Sequence, residues 1–541
     1  MSTPSLAGPL AIPAFRRLWF GGLASNLGTM VQTVGAGWLM ATISPAIDMV
    51  ALVQAATTLP VMLFSILAGA LADSYERRRL LMVAQVFMMT VALILSGVVA
   101  LGQITPWLLL TLSFLLGCGT ALHTPSWQAS VGDVVPRPLI PEAVTLNSMG
   151  VNLTRSVGPA LGGVIVALTG AATAFAFNAV SFLPMIHALM RLKPVEKSSA
   201  LPRENLATAV GAGLRYVAMS PNLMTITLRA FVFGAAAVVI LALLPVVARD
   251  LLQGDAFAYG LLLGAFGVGA VGGGLANSWL RKRCSGETIV RIAFGIIAVS
   301  ACLTGLSRNL WLTSLVLIPA GAAWVLALSL FNVAMQLSTP RWVVGRTLSI
   351  YQTAVFGGMT VGGWLWGHIA EAMGVPYALA SAAAVAALGA AIGLRFALPI
   401  LSNLDLGPLN SFATPALQIG VQDRSGPIFV MIEYDIAQDD IPAFLAAMTA
   451  RRRIRLRDGA RQWTLLRDLE RPNLWKEAYH LPTWADYLRH NHRRTQMDAG
   501  VSENLLALNR GQVQPQVRRM IEHNTVPERD DMALKPFLDL H

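Results

Sequence analysis

The stretch GALADSYERRR at Gly69–Arg79 is written a second time, in altered form, as GGLANSWLRKR at Gly273–Arg283. The second copy follows the first by 204 positions (69 to 273), and each copy comes after a long apolar run. VPR at Val135–Arg137 and TPR at Thr339–Arg341 repeat at the same offset. Two matched pairs at one offset indicate that a unit was duplicated within the chain.

The composition identifies the environment of both copies. Of the 541 residues, 55% are hydrophobic and 13% are charged, and the mean hydropathy is +0.58. A bilayer core of about 30 Å needs about 20 apolar residues per helix, and such runs recur between Leu18 and Ala397. Because backbone amides in lipid must be hydrogen-bonded within their own segment, we predict an all-α polytopic membrane protein.

Twelve apolar segments are predicted to cross the bilayer as helices. They cover approximately residues 18–42, 49–72, 80–102, 105–130, 141–168, 170–191, 222–248, 256–280, 288–307, 310–336, 345–370 and 374–398. Each copy of the quoted stretch opens the loop between the second and third helix of a six-helix half. The predicted fold is therefore two pseudo-symmetric six-helix halves, related by an axis along the membrane normal.

Basic residues set the predicted orientation. The net charge of +11 lies mainly in short connectors on one side of the predicted bundle and in the C-terminal tail. By the positive-inside rule, that side is cytoplasmic. We therefore predict a multi-pass protein of the cytoplasmic (inner) membrane with both termini in the cytoplasm, whose partner is the lipid bilayer and not a nucleic acid.

The chain is predicted to contain five regions. They are an N-terminal six-helix half at 1–192, a cytoplasmic linker at 193–221, a C-terminal six-helix half at 222–402, a linker at 403–425 and a soluble cytoplasmic domain at 426–541. Periodicity in the last region predicts the order β-α-β-β-α, with a final strand near Leu506. This order favours a small α+β module of the ferredoxin-like type.

Several motifs resemble a known family. The spacing of Gly69, Asp73, Arg77 and Arg78 resembles the loop signature G-x-x-x-D-R-x-G-R-R of the major facilitator superfamily. The stretches PSWQASVGDVVPR, AVTLNSMGVNLTRSVGPALGG and TWADYLRHNHRRTQMDAGVSENLLALNRG resemble its transmembrane secretion effector branch, which includes enterobactin exporter-like proteins. The resemblance spans nearly the whole chain and implies the two-half transporter fold.

The first copy of the repeat is predicted to form a cytoplasmic gate. Asp73 follows a membrane helix, where a carboxylate suits the positive N-terminus of a neighbouring helix. The resemblance implies that this neighbour is the eleventh helix, starting near Gly345, and that Asp133 is the acid that Arg77 holds. The predicted gate comprises Gly69, Asp73, Arg77, Arg78 and Asp133.

The sequence departs from the family signature at three gate positions. Ser74 and Glu76 replace the usual Arg and Gly in the first copy, and Asn277 replaces the acid in the second. The second copy is therefore predicted to help orient the chain in the membrane and not to form a gate. For Arg79 and Arg281–Arg283, we favour the alternative that the charges only enforce the positive-inside bias.

GPALGG, at residues 158–163, lies within the predicted fifth helix. Glycines allow helices to approach closely, and a proline removes one backbone hydrogen bond and bends the helix. The spacing resembles the motif that marks exporters in this superfamily, although Thr154 stands where a Gly is usual. The helix-bending exporter motif is Gly158, Pro159, Gly162 and Gly163; packing alone is the alternative.

Polar side chains inside predicted spans are costly and mark candidate substrate contacts. Arg155 and Arg229 lie deep enough to suggest a cationic cavity for anionic or amphipathic substrates. A lone Asn or Gln more often makes an interhelical hydrogen bond. The predicted cavity residues are Asn26, Gln32, His123, Gln128, Asn152, Arg155, Arg229, Asn332, Gln336 and Gln352.

These observations predict a secondary active exporter of small amphipathic molecules, such as a siderophore, drug or metabolite, that works by alternating access. The sequence contains no G-x-x-x-x-G-K-[ST] loop, so ATP-driven transport is not expected. No Asp or Glu lies near the middle of a predicted span, and proton coupling is implied by the resemblance; His123, Asp48, Asp133 and Glu371 are the titratable candidates. Import through the same fold stays open.

The C-terminal region supplies the alternative function. Its tryptophans and histidines allow a membrane-anchored enzyme or sensor, but His490 and His492 point to different faces of a helix, which argues against a shared metal. Cys118, Cys284 and Cys302 are scattered without metal-ligand spacing. We expect no enzymatic activity, cofactor, metal or catalytic residue, and favour a regulatory, docking or dimerising module.

Overall fold

A computed structural model describes most of the chain, which divides into two compact units. The described residues are 7–74, 76–136, 139–192, 206–340, 342–399, 406–407, 409, 412, 414–415, 417–510 and 515–522. One unit consists of residues 1–339 and 343–401, and the other consists of residues 340–342 and 402–541.

The described elements of the first unit are helices. They are α1 (Ala7–Leu10), α2 (Pro13–Ile43), α3 (Ile47–Ser74), α4 (Arg77–Ala100), α5 (Pro106–Val134), α6 (Ile140–Thr169), α7 (Ala171–Ser181), α8 (Leu183–Met190), α9 (Leu206–Ala218), α10 (Pro221–Val246), α11 (Ala256–Arg283), α12 (Gly286–Leu306), α13 (Leu310–Leu337), α14 (Val344–Met373) and α15 (Val375–Arg395). A π-helical turn, Val247–Leu251, follows α10.

Nine helical segments among the described residues are long and apolar enough to cross a bilayer. They are α3, α4, α5, α7 with α8, α10 with its π-turn, α11, α12, α13 and α15. Helices α2, α6 and α14 contain 31, 30 and 30 residues but lie outside this set. The first unit is therefore a multi-pass membrane bundle.

The duplication is visible in the helix bounds. Helices α6 and α14 begin 204 positions apart, at Ile140 and Val344, and end 204 positions apart, at Thr169 and Met373. Each is followed by a glycine with positive φ, Gly170 at 84° and Gly374 at 99°. These φ values favour glycine because a Cβ would clash with the backbone. The connection after α6 and the connection after α14 therefore use the same residue type in the same conformation.

The two copies of the quoted stretch differ in structure. The first copy ends α3 at Ser74 and starts α4 at Arg77, whereas the second lies wholly inside α11, which continues to Arg283. The Arg283 guanidinium lies 4.4 Å from the centroid of the Trp279 ring, one turn earlier. The prediction that each copy opens a loop is therefore wrong for the second copy.

The second unit contains a four-stranded sheet and three α-helices in its described part. In chain order these are β1 (Ile428–Asp435), α16 (Ile441–Arg457), β2 (Arg461–Arg467), β3 (Leu474–Leu481), α17 (Trp484–His492), α18 (Gln496–Leu508) and β4 (Gln516–Ile521). The sheet order is β2-β3-β1-β4, and all neighbours are antiparallel. Glu477 and Val517 flank Ile432 in the register.

The prediction of a final strand near Leu506 is wrong, because residues 496–508 form α18 and the last strand comes later, at Gln516–Ile521. A capping box starts the helix: the Asp498 carboxylate accepts bonds from the Thr495 backbone N–H at 3.1 Å and hydroxyl at 2.7 Å. The pattern T-x-x-D is typical of a helix start, and the sequence contains it at Thr495–Asp498. Leu505 is buried on the inner face of α18.

A single buried carboxylate organises the core of the second unit. Glu477 is fully buried, and its Oε1 accepts bonds from Arg455 Nε and Trp463 Nε1, both at 3.1 Å. Its Oε2 accepts from the Tyr434 hydroxyl at 3.1 Å and lies 3.6 Å from Arg451 Nε. Burial alone raises the pKa of Glu477, but the Arg455 and Arg451 guanidiniums and the Trp463 bond outweigh it and hold the pKa below its ordinary value.

We expect Glu477→Gln to lower the free energy of unfolding of the second unit by about 3–5 kcal/mol, because two buried guanidiniums lose their counter-charge. Pulse proteolysis of the full-length protein in detergent, over a urea series, measures this loss. The folded-state pKa of Glu477 is depressed, so its contribution is present above the ordinary carboxyl pKa of about 4.3. The contribution is lost as the pH falls through the folded pKa.

Glu433→Gln is the matched control. Glu433 lies on β1 and meets Arg518 at 3.9 Å, with the Arg518 side chain 53% exposed. Exposed pairs contribute about 0–1 kcal/mol, so this variant should unfold almost as the parent does. Equal losses in the two variants would contradict the role assigned to Glu477.

Candidate functional site

A cavity of about 390 Å³ lies inside the helical unit. Helices α2, α3, α5, α6, α10, α11, α13 and α14 contribute to its wall. Aromatic and aliphatic side chains, including Phe266, Trp324 and Phe356, form the apolar part. None of the described lining side chains is charged, so the wall suits a molecule with a large apolar surface.

Hydroxyl groups form much of the polar part of the wall. Thr33 Oγ1 donates to the Thr29 carbonyl at 2.9 Å, and Thr57 and Thr58 donate to the Gln54 carbonyl at 2.8 and 3.0 Å. These bonds use the hydroxyl protons within each helix and leave oxygen lone pairs as acceptors. The wall therefore offers hydrogen-bond acceptors to a ligand that carries N–H or O–H groups.

Two predicted cavity residues, Gln32 and Gln352, line this cavity. The Gln32 side-chain carbonyl accepts a hydrogen bond from Asn178 Nδ2 of α7, and Gln32 is almost fully buried. This bond fixes the amide orientation of Gln32 at the wall. Gln54 also lines the cavity, and nothing near it in the sequence distinguishes it from other helix glutamines.

Four other predicted residues lie outside the lining. The His123 ring stacks on Trp127, with centroids 6.4 Å apart and planes 8° from parallel. Gln336 Nε2 donates to Asn332 Oδ1, one turn away on the same helix. Asn26 is half-buried on α2 and is not part of the wall. The side chains of Gln128, Asn152 and Arg155 lie outside the described residues.

Arg229 lies in a buried ion pair outside the cavity. Its Nη1 donates to the Glu287 carboxylate and to the Phe396 carbonyl at 3.3 Å, and only 3% of the residue is exposed. The same carboxylate accepts the Leu398 N–H at 2.9 Å. Arg229 therefore joins α10, α12 and the chain after α15. This placement differs from the predicted substrate contact, because Glu287, 58 residues away, neutralises the charge.

The GPALGG motif brings two backbones together. A Cβ built on Gly163 would lie 2.8 Å from the Gly260 Cα and 3.1 Å from the Ala256 carbonyl oxygen. A Cβ on Gly260 would lie 3.0 Å from the Pro159 carbonyl oxygen, and Pro159 itself lines the cavity. The motif therefore joins the cavity wall to a seam between α6 and α11.

An equivalent seam joins α3 and α14. Gly367, 204 positions after Gly163, would place a Cβ 2.7 Å from the Ala51 Cβ. Nearer the cavity, the hydroxyls of Thr58 and Thr360 are hydrogen-bonded at 2.9 Å. The two seams pair the same kinds of helix from opposite copies of the repeat.

Two charges clamp the turn between α2 and α3. Glu371 Oε2, at the end of α14, accepts the Ile47 N–H that begins α3 at 2.5 Å. Arg249, in the π-turn after α10, donates to the Ala41 and Ser44 carbonyls at the end of α2. Each charge opposes the partial charge of the helix end that it meets. These contacts could not be predicted from the sequence, because the partners lie more than 200 positions apart.

The predicted gate is only partly described. The surroundings of Gly69 and the side chains of Asp73 and Asp133 are not described. Arg77 begins α4, and Arg78 donates from Nε to the Leu189 carbonyl at 2.9 Å and from Nη2 to the Met190 carbonyl at 3.2 Å. Arg78 therefore caps the C-terminus of α8.

The two copies of the stretch bond to their surroundings differently. In the first copy, the unusual Glu76 pairs with Arg79 at 2.6 Å. In the second copy, Asn277 Nδ2 donates to Ser329 Oγ at 2.9 Å and so joins α11 to α13. Asn277 thus makes a neutral interhelical bond within the second copy of the repeat.

The sequence matches one family over nearly its whole length. The model of the transmembrane secretion effector family matches residues 4–526. The chain belongs to this family of the major facilitator superfamily. The family and its curated relatives are membrane transporters, so the chain is a transporter and not an enzyme.

Three relatives are exporters or transporters of drugs or siderophores. The multidrug efflux pump Tap of Mycolicibacterium fortuitum is 26% identical over 69% of this chain and 92% of its own length. The enterobactin exporter EntS of Escherichia coli is 27% identical over 58% of this chain and 74% of its own length. The Staphyloferrin A transporter of Staphylococcus aureus is 30% identical, but over only 29% of this chain and 40% of its own length.

A solved structure shares the fold of the helical unit. A POT family transporter in complex with 5-aminolevulinic acid superposes with a TM-score of 0.59 at 13% identity. The match covers 71% of this chain and 96% of the other. At this identity the similarity shows the fold alone.

We expect Gly163→Val to reduce transport by about 5- to 150-fold without loss of membrane insertion. Overpacking at a backbone contact costs about 1–3 kcal/mol, which converts to this range. Gly97→Val is the control, since a Cβ at Gly97 would meet nothing within 4 Å. Transport is measured as the accumulation of a transported compound in cells at matched membrane levels of the two variants. Equal transport by the two variants would contradict a functional seam.

Proposed function

We propose that this transporter is a secondary active exporter of small amphipathic molecules of the siderophore, drug or metabolite class. The observation that carries this proposal is the uncharged cavity between both copies of the repeat, bordered by two glycine seams. Such a cavity suits a large, mostly apolar ligand. The drug and siderophore exporters among the relatives support the same class.

The proposed architecture has twelve membrane spans in two six-helix halves. Helices α2, α6 and α14 complete the set beside the nine apolar segments; their glycines and polar side chains face the cavity and seams, which explains their lower hydropathy. We place the halves at 1–192 and 222–402, with linkers at 193–221 and 403–425.

We assign residues 426–541 to a ferredoxin-like domain. The βαββαβ order with one added helix supports this assignment.

We place the protein in the cytoplasmic membrane with both termini inside, because basic residues gather on the side of the connector that begins at Ser74. On this orientation, the clamp formed by Arg249 and Glu371 lies on the outer side. The clamp and the two seams then close the cavity from outside. Asp73, Arg77 and Asp133 would close the opposite side in the alternate state.

These contacts support the proposal of alternating access. The α2–α3 turn belongs to one half, and the clamping charges belong to the other. Rocking the halves apart must break both bonds and separate Gly163 from Gly260. Proton exchange is the proposed energy source.

The first test measures export directly. In cells lacking the gene, we expect a higher accumulation of at least one compound of a panel of cationic dyes, macrolides and catecholate siderophores than in complemented cells. Asp73→Asn should abolish the difference while inserting normally, and Asp439→Asn, which changes an acid of the second unit, should not. Equal accumulation of every compound with and without the gene would overturn export.

Energy coupling is tested by measuring accumulation in the same cells with and without a pH gradient. Collapsing the pH gradient with a protonophore should remove the difference in accumulation, since no ATP-binding loop is present in the sequence. Unchanged efflux after the collapse would contradict proton coupling. Full efflux by Asp73→Asn would contradict the gate but leave export standing.

The outer clamp has its own test. We expect Glu371→Gln to make an Ala36→Cys variant, with Cys118, Cys284 and Cys302 replaced by Ser, about fivefold more reactive toward an impermeant maleimide added outside. Ala36 lines the cavity, and a charge at a helix terminus contributes about 1 kcal/mol. Glu433→Gln, outside the bundle, is the control. Unchanged labelling would contradict the clamp.

A further inference from the structure

The second unit contains a pocket of about 260 Å³ that none of the transport machinery uses. It lies between the helix-covered face of the sheet and the helices α16, α17 and α18. Four arginines line it: Arg451, Arg455, Arg494 and Arg519. Tyrosines and aliphatic side chains, among them Ile432, Leu505 and Val517, form the rest of the wall.

The pocket carries more positive than negative charge. Glu477 lies behind the wall and is bonded to Arg455 and close to Arg451. Arg494 and Arg519 donate to neutral hydroxyls, to Ser502 Oγ at 2.9 Å and to the Tyr487 hydroxyl at 2.6 Å. Among the lining residues that the structure describes, none is acidic.

The other nearby carboxylate is already engaged. Asp498 of α18 accepts bonds from Arg457 Nη2 at 2.9 Å and from the Thr495 hydroxyl at 2.7 Å. It therefore serves the start of its own helix. Glu477 brings one negative charge against four lining arginines, and Asp498 is paired with Arg457, so the charge of the lining arginines is only partly balanced.

Two observations show that the lining arginines lack full compensation. Arg451 is 7% exposed, and its Nε has no hydrogen-bond partner among the described residues. Burial lowers the pKa of Arg494 to about 10, with Arg451 and Arg455 adding repulsion. Arg494 still carries its charge at neutral pH. A buried charged donor without an acceptor is costly, and a carboxylate or phosphate on a ligand would satisfy it with charge-assisted hydrogen bonds.

We propose that this pocket binds an organic anion, a small molecule with a carboxylate or phosphate head and an apolar body. Arg494 and Arg519 would hold the head, because guanidiniums match both kinds of anion with paired N–H donors. Ile432, Leu505 and Val517 would cover the apolar body. The volume lies just below the range of drug-sized sites, about 300–1,000 Å³, and so favours a compact ligand.

The arrangement favours binding over catalysis. His490 is buried and lies outside the pocket lining, with Nε2 3.0 Å from Arg455 Nη1. Burial, followed by the Arg455 charge, lowers the pKa of His490 well below its ordinary value, so the ring stays neutral and accepts this bond. No group of metal-binding side chains occurs in the part of the chain that the structure describes. The site is separate from the proposed transport cavity.

The test uses the full-length protein in detergent and equilibrium dialysis with labelled benzoate and labelled phenyl phosphate. Benzyl alcohol is the uncharged probe of similar size. We expect saturable binding of at least one anion and none of the alcohol. Arg494→Gln and Arg519→Gln should each weaken binding at least tenfold, as the loss of a charged hydrogen bond of about 1.5–3 kcal/mol implies.

Arg453→Gln is the matched control, because Arg453 is exposed on the same helix as Arg451. It should bind as the parent does, and Arg494→Lys should recover part of the affinity. Thermal unfolding of each variant verifies folding, and the anion should raise the unfolding temperature of the parent. Parent-like binding by folded Arg494→Gln and Arg519→Gln, equal binding of benzyl alcohol, or no saturable binding of either anion would overturn the proposal.

Discussion

The backbone contact between α6 and α11 at Gly163 and Gly260 is the constraint on which the helical unit depends. Lipid provides no hydrophobic force between helices, so close van der Waals packing must hold them. Glycine at both positions allows that approach, and Pro159 places the same helix against the cavity. The repeat supplies a second seam at Gly367 and Ala51, so the cavity is bordered on both sides by contacts of one kind.

Local patterns in the sequence were sufficient to predict most of the helices of the first unit. The 204-residue offset predicted the relation between α6 and α14, and the apolar runs predicted helices where the structure has them. Gln32 and Gln352 were also found, because polar residues inside apolar spans are few. The capping box at Thr495 marks the start of α18 in the sequence. Without it, the last strand was predicted near Leu506, whereas the structure has it at Gln516–Ile521.

Contacts between distant segments could not be predicted in this way. Arg229 was interpreted from its depth alone, whereas its role depends on Glu287 in another helix. The contacts of Glu371 and Arg249 could not be predicted, because nothing near them in the sequence indicates the helix ends that they meet. In the second unit, the strand pattern predicted the sheet, but the contacts of Glu477 on β3 with Arg451 and Arg455 join segments that are distant in the sequence.

Gly170 and Gly374 have a mechanical consequence. Each is the only residue between two helices, and its positive φ sets the angle at which the chain reverses. A connection of one residue allows little change in the angle between the helices that it joins. The pair α6 and α7 and the pair α14 and α15 therefore behave as rigid units. In the proposed alternating-access cycle, each of these helix pairs would turn as one unit, and the change of shape would come from the longer connectors elsewhere in the bundle.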